Sequence, residues 1–368
     1  MTSQYLFITG MPRSGTTLLD KLLSQHPQAH ILSQPLPLLY VELKRAFLKS
    51  RGQEVAYPFG DMFGERWYDV GEFSDYLAAN APDADFYRDA LEKMRDFDGQ
   101  YTKPDPPWTV SEGDYHPFDF VTRYCESFSP VGNLVVGSKE TFCEEMIPYF
   151  LKNGAKVLVI VRDPRDVLAS LNHGRGLDFG GRSKPHLFNL RQWRKSVAFI
   201  FQNWLNPNFL AIRYEDLVQK PEETMQEVTS FLGLESLSAE ILRGDLKTQS
   251  GNAWSSNSSH RPATKIDAAG VGRYRDHLDA ATDQWVQAVC YPEMYALSYT
   301  LDLESTRVVD VLSLPLTELP LQRPELAAYQ WSEERRDEEL GRWQAFEDDV
   351  FDPQFFLFED AFTELRAA

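Results

Sequence analysis

Short apolar runs alternate with stretches of helical periodicity along much of the chain. Residues 5–9 (YLFIT) read as a buried strand, 10–15 as a Gly-rich turn, and 16–25 as a helix with Leu18, Leu19, Leu22 and Leu23 at helical spacing. Residues 36–50 read as another helix. Residues 133–138 (NLVVGS) predict a strand and 143–152 a helix. Residues 155–161 (AKVLVIV) are the clearest buried parallel strand. Asp163 and Pro164 open a helix carrying Val167, Leu168 and Leu171, with proline at an early helical position. A helix over 188–204, a strand over 209–213 (FLAIR), a helix from Pro221 to Leu232 ended by Gly233, and helical periodicity over 279–299 complete the series. The alternation predicts an α/β protein with a doubly wound parallel sheet.

Three stretches break the pattern. From Gly52 to about Pro130 the chain is rich in Tyr, Phe, Trp, Asp and Pro, and reads as a helical insertion with long loops. Residues 174–186 form a basic loop, and 250–273 are polar. Beyond 300 the chain is acidic and aromatic, with helix expected over 325–349. At 368 residues the chain suits one large α/β domain with additions. The expected division is a domain over 1–300, with 51–130 as a cap for the acceptor, and an extension over 301–368 docked on it. A dimer contact is a further use for that extension.

Charge narrows the partners. The chain carries −18, of which −11 falls in residues 301–368. A nucleic-acid partner needs a basic footprint and is not expected. Three cysteines without CxxC spacing suit reducing cytoplasm better than a disulfide scaffold or a zinc site. No membrane span and no signal peptide are expected. Residues 162–195 reverse the sign, with eight Lys/Arg against three Asp/Glu. Such a local reversal suits a ligand with phosphate groups.

Two motifs carry the chemistry. Gly10-Met11-Pro12-Arg13-Ser14-Gly15-Thr16-Thr17 lies between strand and helix, where backbone N–H groups and the helix N-terminus make an anion cradle. It departs from the nucleotide motif G-x-x-x-x-G-K-[ST] at Thr16, which stands where the lysine belongs, and Arg13 supplies the cation. The second motif, Arg162-Asp163-Pro164-Arg165-Asp166-Val167-Leu168-Ala169-Ser170, follows the best strand. Arg162 sits at the strand's C-terminal end, and Ser170 lies two helical turns on. An arginine and a hydroxyl converging there suit a phosphate monoester.

In this order the two motifs resemble those of the sulfotransferases that use 3′-phosphoadenosine 5′-phosphosulfate. Residues 10–27 look like the family's 5′-phosphosulfate loop and 156–170 like its 3′-phosphate element; 213–217 and 256–278 resemble two later blocks. Pro-Arg-Ser-Gly-Thr-Thr is closer to the tyrosylprotein sulfotransferases and their bacterial relatives. The resemblance covers about 1–50 and 130–300. It implies the P-loop-like sulfotransferase fold, a three-layer parallel sheet flanked by helices.

The resemblance also implies roles. Pro12, Arg13, Ser14, Gly15, Thr16 and Thr17 would hold the 5′-phosphosulfate, and Arg162, Ser170 and Arg175 the 3′-phosphate. Lys139 would contact the bridging oxygen and Tyr214 the adenine. Ser258 or Ser259 would contact the 5′ side, and Val271-Gly272-Arg273 would close over the nucleotide. Adenosine 3′,5′-bisphosphate would be the product, with no metal. The other readings are a P-loop kinase or hydrolase and a non-catalytic nucleotide-binding protein.

The family's proton acceptor is missing. The glutamate position of the tyrosylprotein branch falls on Gln34, and the histidine position of the cytosolic enzymes on Thr141. The base is therefore expected in the insertion, where Glu112, Asp114 and His116 are grouped, with His116 preferred for its reference pKa. Glu140 is another candidate. An amine acceptor would need little help. Aromatics among carboxylates in 51–130 suit a neutral or cationic small molecule, a natural product for instance, over an anionic glycan.

Overall fold

The computed structural model describes residues 3–53, 68–95, 110–113, 115–130, 132–173, 184–248, 251–255, 263–318 and 320–368. Five strands form one parallel sheet: β1 (Gln4–Thr9), β2 (Ala29–Ser33), β3 (Val135–Lys139), β4 (Lys156–Val161) and β5 (Phe209–Arg213), in the order β2-β3-β1-β4-β5. β1 pairs with β3 from Gln4↔Val135 to Ile8↔Lys139, and with β4 from Leu6↔Lys156 to Thr9↔Val159. The expected parallel α/β architecture is present. Its edge strand β2 is an addition to the four strands read from the sequence.

Side-chain alternation sends each strand's residues to two different cores. Tyr5, Phe7, Val157, Val159 and Val161 join the larger core. Leu6, Ile8, Leu158 and Ile160 join the smaller one, with Leu18, Leu19 and Leu22 of helix Thr16–Leu23 and Met225 and Val228 of helix Pro221–Phe231. Burial on both faces explains why β1 and β4 read as continuous apolar runs.

The larger core also takes in the insertion and the C-terminal segment. Among the described residues the insertion forms helices Val70–Ala79, Ala84–Arg95 and Pro117–Phe128. Two helical expectations change. The 279–299 stretch divides into Ala280–Val289 and Tyr291–Ala296, because Pro292 belongs in the first turn of a new helix and not inside an old one. The 325–349 stretch becomes a 3-10 turn, Pro324–Tyr329, and helix Glu333–Glu347 capped by the Ser332 hydroxyl. A last helix, Glu359–Ala367, packs on His186–Asn203.

Buried ion pairs join the C-terminal helices to His186–Asn203. Arg194 donates to Glu339 Oε2 at 2.6 Å, and Arg191 to Glu339 Oε1 at 2.9 Å. Burial pushes the Glu339 carboxyl up, but the two guanidiniums outweigh it and hold it at about 2. Glu339→Gln leaves two buried arginines without this carboxylate, so the denaturation midpoint should drop by an amount equivalent to about 3–5 kcal/mol. The pair's contribution is present above the ordinary glutamate range and fades as pH falls toward 2. The same variant should therefore narrow its gap to the parent in strong acid.

Candidate functional site

β1 connects toward β2 and β4 toward β5, in opposite directions along the sheet, so the crevice between their C-terminal ends is the topological switch point. Both motifs open there. Gly10, at φ +145°, has no room for a Cβ, which would lie 2.5 Å from the Ile160 carbonyl oxygen of β4. Gly15 caps the first helix at φ +97°, and a Cβ there would meet the Tyr214 ring at 2.5 Å. The turn is thus pressed between β4 and Tyr214. Its backbone is fixed by the Ser14 N–H to Met11 carbonyl bond of 3.2 Å and the Leu19 N–H to Gly15 carbonyl bond of 3.1 Å.

The two motifs touch. Arg13 Nε donates to Ser170 Oγ at 3.1 Å, and Arg162 Nη1 donates to the Arg13 carbonyl at 3.0 Å. Arg162 also donates to the Gly270 carbonyl, lies 3.5 Å from Asp166, and covers the Tyr214 ring at 4.5 Å. Asp166 accepts the Gly272 and Tyr274 N–H groups, each at 2.8 Å, which brings the 268–276 segment over the crevice. Val271 packs on the smaller core. Among the described residues, Ser14 Oγ, Arg162 Nε and Arg273 Nε are buried polar atoms without a hydrogen-bond partner. Unsatisfied buried donors beside a helix N-terminus fit an anion with several oxygens.

Lys139 ends β3 beside this turn, fully buried. Its ammonium donates to Gln34 Oε1 at 3.0 Å and Thr17 Oγ1 at 3.4 Å, and lies 3.8 Å from Asp20. Burial lowers its pKa against the pull of Asp20 and Glu140. Gln34 is therefore a neutral acceptor for the lysine. The Gln34–Lys139 contact joins residues 105 apart and had no local signal in the sequence. Glu140 turns one oxygen to the Leu36 N–H at 2.7 Å; the other is buried and unpartnered, and burial raises the carboxyl's pKa.

Backbone strain gathers at the same edge. Arg13 (φ 72°), Gln34 (φ 45°) and Phe142 (φ 63°) are three of five described non-glycine residues with positive φ. They stand in the loops after β1, β2 and β3. Such outliers cluster where side chains must be held in one direction.

Glu112 and His116 are exposed, and His116 precedes helix Pro117–Phe128 without a capping hydrogen bond. Phe118, two residues on, packs against Tyr5 of β1 at 5.6 Å. Arg175, Ser258, Ser259 and Asp114 lie outside the described residues. Among the described residues no group of three or more His, Cys, Asp or Glu side chains is placed to hold a metal ion, and no helix is long and apolar enough to cross a membrane.

The fold and the site together define a parallel α/β protein in which two arginine-bearing elements, one after β1 and one after β4, meet at the switch point of the sheet. The match to a family model is specific: the chain belongs to the Sulfotransferase family, matched over residues 6–238. It is 29% identical over 165 residues to carbohydrate sulfotransferase 3 of Tetronarce californica, covering 40% of this chain and 36% of that protein. It is 24% identical over 251 residues to human carbohydrate sulfotransferase 5, covering 60% and 59%. The chain thus spans less than two thirds of the length of these relatives. Among solved structures, the sulfotransferase domain from the curacin biosynthetic pathway aligns with 82% of this chain and 99% of its own, at 17% identity and a TM-score of 0.48.

Proposed function

We propose that this chain transfers a sulfuryl group from 3′-phosphoadenosine 5′-phosphosulfate to a hydroxyl or amine of a small-molecule acceptor. The observation that carries the reading is the Arg13–Ser170 and Arg162–Arg13 pair of contacts, which puts two anion-binding elements side by side at the switch point with unsatisfied donors between them. Family membership supports it.

In this reading Arg13, Ser14, Gly15, Thr16 and Thr17 hold the 5′-phosphosulfate, with Pro12 shaping the turn. Arg162 and Ser170 hold the 3′-phosphate, joined by Arg175. Tyr214 lies along the adenine, and 271–273 with Ser258 or Ser259 closes the site. Charge builds on the bridging oxygen as the sulfur–oxygen bond to the leaving phosphate breaks. Lys139 and Arg13 are the cations suited to that oxygen, so positioning and electrostatics supply the rate. The Pro-Arg-Ser-Gly-Thr-Thr turn supports kinship with the tyrosylprotein branch; the curated relatives named above are carbohydrate sulfotransferases. The acceptor is a neutral or cationic small molecule, and an uncharged sugar hydroxyl falls within that class. Free, buried Cys125, Cys143 and Cys290 support a reducing, cytoplasmic setting.

Thermal unfolding tests the donor. Adenosine 3′,5′-bisphosphate without metal, at about 100 times its dissociation constant, should stabilise the protein by about 2.7 kcal/mol. Stabilisation by ATP with Mg²⁺, and none by adenosine 3′,5′-bisphosphate, would replace this reading with a kinase or hydrolase.

A further inference from the structure

Burial favours a neutral amine over an ammonium, so a fully buried lysine needs a counter-charge to remain a cation. Lys139 is such a lysine, and helix Thr16–Leu23 brings it a carboxylate. Asp20 is as fully buried as Lys139. It stands among Leu18, Leu19, Leu22 and Leu23, where an apolar residue would cost the helix less. Its Oδ2 lies 3.8 Å from Lys139 Nζ and accepts the Ser33 hydroxyl at 2.7 Å. Its Oδ1 lies 2.7 Å from Lys21 Nζ. The carboxylate is therefore shared between two ammonium groups and a hydroxyl.

Strand alternation explains the meeting. Lys139 pairs with Ile8, whose side chain joins the smaller core that this helix covers. Lys139 therefore stands on the helix side of the sheet, and Glu140 on the other, where its Oε1 accepts the Leu36 N–H. The Lys139 ammonium reaches Thr17 Oγ1 of the anion-binding turn at 3.4 Å and Gln34 Oε1 at 3.0 Å, both uncharged. The charged groups that face it are Asp20 and Lys21 from the helix and Glu140 from its own strand. Burial first, and Lys21 more weakly, favour the neutral amine; Asp20 is the stronger of the two carboxylates that favour the ammonium.

We propose that Asp20 is the positioning residue for Lys139, supplying the counter-charge that holds its ammonium against Thr17 at the anion-binding turn. Lys21, on the other oxygen of the same carboxylate, sets how much of that charge Lys139 receives. The inference rests on the sulfotransferase reading above, in which the Lys139 ammonium meets the bridging oxygen. After transfer that oxygen remains on the 5′-phosphate of adenosine 3′,5′-bisphosphate, so the product itself reports on the contact and no acceptor is needed.

Two measurements test it on the full chain. Calorimetry follows the affinity for adenosine 3′,5′-bisphosphate from neutral to alkaline pH. NMR of protein grown with ¹³Cε-lysine titrates Lys139 without nucleotide, its resonance assigned by its loss in Lys139→Met. The parent's affinity should fall about 10–100-fold as Lys139 loses its proton, because a charged hydrogen bond to phosphate is lost. Asp20→Asn keeps the shape and removes the charge, so the ammonium is given up more readily. Both the affinity fall and the Lys139 resonance should move about 1–3 pH units lower. Lys21→Met removes a like charge and leaves Asp20 to Lys139 alone, so both should move higher; this variant keeps the carboxylate and reads the coupling even where Asp20→Asn does not fold. In Lys139→Met the alkaline fall should be absent, and adding Asp20→Asn should not restore it. A Lys139 resonance that stays at the parental pH in Asp20→Asn, or in Lys21→Met, would overturn the proposal. A resonance that moves as expected in a protein binding no adenosine 3′,5′-bisphosphate at any pH would remove the sulfotransferase reading and leave the Asp20–Lys139 coupling standing, which separates the two failures.

Discussion

Arg13→Ala is expected to lower sulfuryl transfer about 10²–10³-fold while the protein stays folded. Removal of one preorganised donor from a developing oxyanion costs about that much in other enzymes. The fold should tolerate the change because Arg13 is held through its main chain. Its carbonyl accepts from Arg162, and that bond survives the substitution. Its φ of 72° is strained for arginine and alanine alike, so the replacement adds no backbone cost. The side chain's bond to Ser170 is lost, a contribution of about 0.5–1.5 kcal/mol. The check is single-turnover transfer from the sulfate donor alongside a thermal melt. A rate within twofold of the parent would mean that Arg13 does not meet the reacting group. Arg13→Gly extends the argument: it should be as inactive as Arg13→Ala yet no less stable than it, because glycine adopts positive φ freely.

The two motifs that meet at the switch point could be read from the sequence because their signals are local. A turn of eight residues after one strand, and nine after another, each carry their own spacing. The parallel sheet was legible for the same reason, since burial on both faces leaves an unbroken apolar run in the middle of β1 and of β4. β2 was not. Its five residues, AHILS, lie at the sheet edge with His30 half-buried, so no continuous apolar run marks them. The helix break after Val289 was signalled by Pro292 but overridden by a longer periodicity. Other contacts join distant parts of the chain. Gln34 meets Lys139, Lys184 meets Phe142, and Phe188 meets Tyr329. Local pattern carries no trace of such pairings. The group Glu112 and His116 stood out by composition alone, and the helix that follows them packs on Tyr5 of β1.

Arg162→Ala and Ser170→Ala are expected to weaken adenosine 3′,5′-bisphosphate and to leave AMP little changed. A hydrogen bond to a charged group contributes about 1.5–3 kcal/mol, so the affinity ratio between the two nucleotides should fall about 10–100-fold in each variant. The two residues differ in what else they hold. Ser170 is a buried hydroxyl that accepts from Arg13 Nε, and its loss should act on the ligand through that oxygen. Arg162 also bonds the Arg13 and Gly270 carbonyls, pairs with Asp166, and covers Tyr214. Its removal leaves the buried Asp166 carboxylate without that cation and loosens the 268–276 segment, which costs stability as well as affinity. Arg162→Lys separates these effects. The lysine keeps the charge for Asp166 but lacks the planar fork, so stability should recover more than nucleotide discrimination. Calorimetric titration with both nucleotides reads the ratio directly. If the ratio stays at the parental value in Ser170→Ala and in Arg162→Lys, these residues do not read the 3′-phosphate, and the second anion-binding element is a structural strut.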